Sequence, residues 1–156
     1  MGRWRGLSRL TRLKRAGLGF VFLWFLIGGA AHFVATELEM RIVPPWVPWP
    51  RAAVLASGAF ELLGAAGLPW RPTRRSAGIG LFALTIALTP AHFYMLQRPD
   101  LFGVPIWALW LRLPLQLGLL WLIAWSTFGR RTALADLRFR AAPTAALKPA
   151  PGRRYR

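Results

Sequence analysis

The chain has 156 residues, of which 55% are hydrophobic, and 21 Lys and Arg against 5 Asp and Glu give a formal net charge of +16. That length suits one domain, and a soluble domain with such a charge balance would read as a nucleic-acid binder. The distribution excludes that reading, because the basic residues stand in short blocks beside long apolar runs, as they do in membrane proteins. Nucleic acid is therefore not an expected partner, and the lipid bilayer is. There is no cysteine, which excludes a disulfide framework, a thiolate metal site and any thiol relay within the chain.

Residues 1–15 form a basic arm carrying Arg3, Arg5, Arg9, Arg12, Lys14 and Arg15. Residues 16–36 are the first apolar run, long enough at about 1.5 Å per residue to cross a hydrocarbon core of about 30 Å. A basic arm, an apolar stretch and the small residues Gly28, Gly29 and Ala30 also suit a cleaved signal peptide. The length of the run and the further spans that follow favour a membrane helix. Residues 37–50 include Pro44-Pro45-Trp46-Val47-Pro48-Trp49-Pro50, where repeated proline predicts a rigid extended loop. Residues 51–68 are the second run and 76–96 the third, separated by Pro69, Trp70, Arg71, Pro72, Arg74 and Arg75. A short turn at residues 97–100 leads to the fourth run, 105–128. Pro105 suits its first turn and Pro114 predicts a kink inside it. Residues 129–156 are rich in Arg, Ala and Pro and read as a largely disordered tail. Leu134, Leu137 and Ala141 would share one side of a short surface helix within it.

The arm, the 69–75 connection and the tail together hold 17 of the 21 basic residues. The positive-inside rule then places both termini in the cytoplasm, with the basic ends resting on anionic lipids. The expected fold is all-α: a transmembrane four-helix bundle with N- and C-termini cytoplasmic.

Polar residues within the spans carry the functional information, since a charge at the centre of a bilayer costs roughly 2.5–3.5 kcal/mol and normally faces a partner or a cavity. Glu61 lies near the middle of the second span, Arg112 and Gln116 one turn apart in the fourth, and His32 and His92 near the ends of the first and third. From the helical rise, Glu61 is about 15 Å deep, Arg112 about 10 Å, Gln116 about 16 Å and both histidines about 6 Å. All five fall in the outer half, and Glu61 and Arg112 are close enough in depth to pair. Gly28, His32 and Thr36 share a helix face, as do Ser57, Glu61 and Gly64, and Thr85, Thr89 and His92. These stripes predict a polar pocket opening outward. The plainer alternatives are a structural ion pair between Glu61 and Arg112, and hydrogen-bonded interface roles for the histidines. Two histidines are too few for a metal site, which normally needs three or four ligands, so no metal is expected. No phosphate-binding glycine loop, nucleophile elbow or zinc-protease helix occurs. Ala31-His32-Phe33 recurs as Ala91-His92-Phe93, a hint of two related helix hairpins.

Five segments in order carry a family resemblance: Ala31-His32-Phe33, Pro44 to Pro50, Ser57-Gly58-Ala59-Phe60-Glu61-Leu62-Leu63-Gly64, Pro90-Ala91-His92-Phe93-Tyr94-Met95, and Leu109-Trp110-Leu111-Arg112-Leu113-Pro114-Leu115-Gln116. Together they resemble the DoxX family of small bacterial membrane proteins over residues 16–128. The resemblance implies a four-helix, multi-pass protein of the bacterial inner membrane. It also implies an association with redox complexes, some members looking like membrane subunits of thiosulfate:quinone oxidoreductase. Relatives often have Asn where this chain has His92.

The expected role is an accessory or membrane-anchoring subunit of a redox complex. Quinone is the one cofactor that resemblance brings in; the residues themselves require none. Glu61, Arg112 and Gln116 would hold the pocket, with His32 and His92 at its mouth. The alternatives are a small proton-linked transporter titrating at Glu61, and a structural scaffold. Whether the chain is an enzyme stays open at this point.

Overall fold

The computed structural model describes residues 2–128, with side chains from residue 12 onward. The basic tail of residues 129–156, its short surface helix and the side chains of Arg3, Arg5 and Arg9 lie outside the described residues. Six α-helices make up most of what is described: α1 (Gly2–Val34), α2 (Thr36–Met40), α3 (Pro50–Gly67), α4 (Arg74–Ala87), α5 (Thr89–Gln97) and α6 (Ile106–Thr127), with a 3-10 turn at Pro99–Leu101. Among the described residues there is no strand.

Three helical stretches are long and apolar enough to cross a membrane: Arg12–Val34, Arg74–Gln97 and Ile106–Thr127. The fourth stretch, α3, has 18 residues and carries Arg51 and Glu61. At about 27 Å it nearly matches a hydrocarbon core.

Local chemistry sets the helix ends. The first helix stops at Val34, two residues before the end of the apolar run, and Thr36 starts α2. The Thr36 hydroxyl donates to the carbonyls of His32 at 2.7 Å and Phe33 at 3.2 Å, satisfying groups that the end of α1 leaves open. The 37–50 segment is not the extended loop that its prolines predict. Residues 37–40 are helical, and a turn closes from the Val47 N–H to the Pro44 carbonyl at 3.0 Å. Proline removes a donor but keeps its carbonyl, so it can start such a turn. Trp49 sits in the left-handed region (φ 53°, ψ 63°) and leads into Pro50, the first residue of α3. On the opposite side, Arg74 Nε donates to the Leu68 carbonyl and Nη2 to that of Pro69, each at 2.9 Å. These bonds cap α3 and clamp the tight α3–α4 connection.

The third apolar run is interrupted at Leu88, between α4 and α5. Pro90 is the cause: it has no N–H for the Ile86 carbonyl, and its ring crowds that group. Helix α6 runs through Pro114 without interruption.

Helix α1 packs on α3 and α6, and α4 packs on the same two. Neighbours run antiparallel: Gly64 and Gly67 of α3 face Leu81 and Ala77 of α4, Gly78 of α4 faces Thr127 of α6, and Gly17 of α1 faces Leu122 and Trp125 of α6. The dry core is Val21, Phe25, Ala65, Leu68, Leu81 and Ile123. It lies in the half nearest the basic arm. Large apolar side chains point outward as well; Ile27, Leu63, Leu117 and Trp121 are each about two-thirds exposed. In water so much apolar surface would drive association; a lipid bilayer would cover it without a protein partner.

Candidate functional site

The half of the molecule away from the arm is polar inside, and three glycines shape it. A Cβ on Gly58 of α3 would stand 2.6 Å from His32 Cβ and 3.0 Å from the Gly29 carbonyl. A Cβ on Gly28 would stand 2.9 Å from Glu61 Oε2. Small residues let membrane helices approach closely, and here the approach brings His32 Nε2 to 3.6 Å from Glu61 Oε1. Glu61 is only 6% exposed.

This is not the pair that depth predicts. Arg112 does not reach Glu61: its Nη1 lies 3.5 Å from Met95 Sδ, and among the described residues no carboxylate forms an ion pair with it. The reason is lateral. Helix α3 packs mainly on α1, α4 and α2, so α1 supplies Glu61 with its nearest basic side chain while α6 sits across the interior. Similar depth fixes one coordinate of a contact and leaves the other two free.

Gln116 is buried and bridges α6 to the α4–α5 break. Its Nε2 donates to the Thr85 carbonyl at 2.9 Å and to Thr89 Oγ1 at 2.5 Å, and the Thr89 hydroxyl also donates to Thr85 O at 3.2 Å. A neighbouring helix thereby satisfies backbone that the proline break exposes. Three buried polar atoms find no protein partner: Gln116 Oε1, His92 Nδ1 and His32 Nδ1. Buried polar atoms are normally bonded, so such a concentration at one end calls for an explanation.

A cavity lies on each side of the His32–Glu61 contact. One, of about 410 Å³, is lined by Glu61, His92, Arg112 and Gln116, with an apolar wall that includes Trp24 and Leu115. Trp24 and Leu115 are each about half exposed, so this wall reaches the outer surface of the helices. The other, of about 230 Å³, lies under the proline-rich segment and is lined by His32, Glu39, Ser57, Trp46 and Pro90 among others. A smaller hollow of about 180 Å³ joins Arg41 and Glu39 to Arg112. A larger one, about 640 Å³, runs along α3 and α4 but is lined by apolar and small residues with no ionisable side chain, so it offers no chemistry.

Four of the five residues singled out from the sequence thus line one pocket, and the fifth, His32, touches Glu61 from the second cavity. Trp24, Met95 and Glu39 were not anticipated. Trp24 was readable, since Trp24, Gly28 and His32 follow at four-residue spacing on one helix face. Met95 and Glu39 gave no such signal. Among the described residues, no group of three His, Asp or Glu gathers with metal-ligand geometry.

A family model described as a domain of unknown function, DUF8561, matches residues 21–129 and so includes every residue of the pocket. No curated protein and no solved structure matches the chain.

Proposed function

The chain belongs to the DUF8561 family, whose description assigns no activity, and from the pocket itself we propose that it is an integral membrane protein binding a quinone-class ligand as an accessory or anchoring subunit of a redox complex. One observation carries this reading: the 410 Å³ pocket is polar in its depth and apolar where it reaches the helix surface. A ligand with a hydrogen-bonding ring and a lipid-soluble tail has the same division. Arg112 supplies donors to ring carbonyls. Gln116 Oε1 and His92 Nδ1, both buried without partners, supply acceptors to ring hydroxyls. The residues present therefore fit both the oxidised and the reduced form.

The membrane arrangement belongs to the same proposal. All four apolar stretches, α3 included, cross the bilayer as a transmembrane four-helix bundle with both termini cytoplasmic. The antiparallel packing of successive long helices supports this, as does the weight of basic residues at one end. Lys14 over the Trp125 ring, 5.8 Å from its centroid, fits an anchor at the basic interface, where anionic lipids would gather. The resemblance to the DoxX family, and with it the bacterial inner membrane, agrees with this reading on motif order alone.

The test is extraction. Full-length protein purified from its native membrane is expected to retain quinone above the level carried by an unrelated membrane protein. Arg112→Leu is expected to lose it while remaining folded. Quinone at background in the wild-type extract would sink the proposal.

A further inference from the structure

We propose that His32 and Glu61 form a proton-transfer couple joining the two cavities, His32 taking protons from the cavity under the proline-rich segment and Glu61 presenting them in the pocket. Apart from Leu88, which lines both spaces, the two have separate walls, and these two residues are where polar groups of one approach the other: His32 lines only the 230 Å³ cavity of the two, Glu61 only the 410 Å³ pocket, and 3.6 Å separates their nearest polar atoms. A small side-chain adjustment brings that separation within hydrogen-bond range. Gly28 and Gly58 leave no room for a Cβ beside these two side chains, so the close approach is built into the helix contact. His32 Nδ1 has no protein partner, and the cavity beside it has space for several waters.

The step balances. The Nε2–H of the imidazolium gives its proton to Glu61 Oε1, converting a buried ion pair into a neutral imidazole and a carboxylic acid. Glu61 then gives that proton to an acceptor oxygen in the pocket and returns to carboxylate, while His32 takes another from water. The other charged or titratable groups facing the couple are Glu39 of α2 on the His32 side, and His92 of α5 and Arg112 of α6 on the Glu61 side. That the acceptor is the oxygen of a quinone, made basic by electrons from the redox complex, rests on the reading above; the proton path does not.

The experiment needs no ligand. Full-length protein is reconstituted in phosphatidylcholine vesicles, and the infrared carboxyl band absent from Glu61→Gln is followed across a pH titration and during exchange into D2O. The band is expected to titrate and to exchange. In His32→Ala, exchange is expected to slow by about tenfold or more, and imidazole in the medium, small enough for the vacated space, is expected to restore it. His32→Gln, which keeps the bulk, serves if the alanine variant does not fold, and is expected to be equally slow. Wild-type exchange rates in a folded His32 variant, a slow alanine variant that imidazole does not rescue, or the lack of any Glu61 band would each overturn the proposal. Because the readout is the proton on Glu61 and not bound quinone, failure here and failure of the quinone reading are told apart.

Discussion

At the level of single residues, glycine and glutamate show how little room this site leaves. Glu61 tolerates burial because α1 comes close enough to set His32 beside it, and that approach depends on Gly28, Gly29 and Gly58. Gly58→Ala would force its new methyl against His32 Cβ and the Gly29 carbonyl. It is expected to destabilise the fold by about 1–3 kcal/mol, the usual cost of overpacking a tight contact. Gly80 meets nothing within 4 Å of a built Cβ, and Gly80→Ala is expected to stay within about 0.5 kcal/mol. Denaturant or thermal unfolding of the purified protein compares the two; equal effects would mean that the α1–α3 contact is looser than described. Glu61, Gln116 and Arg112 were legible as site residues because charges and amides are costly inside an apolar span. Their partners were not. Depth along a helix follows from counting residues, whereas the choice of His32 over Arg112 depends on which helices are neighbours.

Among the helices, the break between α4 and α5 is the feature that organises the pocket. Pro90 interrupts the third span, and Gln116 reaches from α6 to the Thr85 carbonyl beside the interruption. The break also admits Leu88 to both cavities and Pro90 to one. Pro90→Ala would supply an N–H within reach of the Ile86 carbonyl. One added backbone hydrogen bond is worth about 1 kcal/mol, so amide exchange at residues 88–91 is expected to slow roughly fivefold. Hydrogen exchange read by mass spectrometry or NMR measures this, and unchanged rates would show that something other than proline holds the break open. Besides Pro105 at the start of the fourth run, the apolar runs contain two prolines, Pro90 and Pro114. Pro114 lies well inside its helix; Pro90 stands near the end of its run, where it reads as a boundary.

The whole molecule is asymmetric along its long axis. The end that carries the basic arm holds the dry core of Val21, Phe25, Leu68, Leu81 and Ile123, and the opposite end holds the interior charges Glu61 and Arg112, the unpartnered polar atoms and the proline-rich cover. This division suits a site open to one side of a membrane and sealed from the other. Its orientation can be tested without background, because the chain has no cysteine. In intact cells, Asp100→Cys is expected to react with a membrane-impermeant maleimide, and Pro72→Cys only after the cells are opened. Labelling of both from outside would mean that the Arg74–Gln97 stretch does not cross the bilayer. Labelling of Pro72→Cys alone would invert the topology.

Residue type and spacing alone carry the helical class, the apolar stretches and the five polar residues that line the two cavities. Each depends on what a residue type costs in lipid, and that cost is a property of the residue and its near neighbours along the chain. That Glu61 faces His32, that Arg112 turns to Met95, and that a cavity lies on each side of the His32–Glu61 contact are outcomes of tertiary packing. Those outcomes depend on which glycine faces lie against which helix, and so on contacts between residues far apart in the chain.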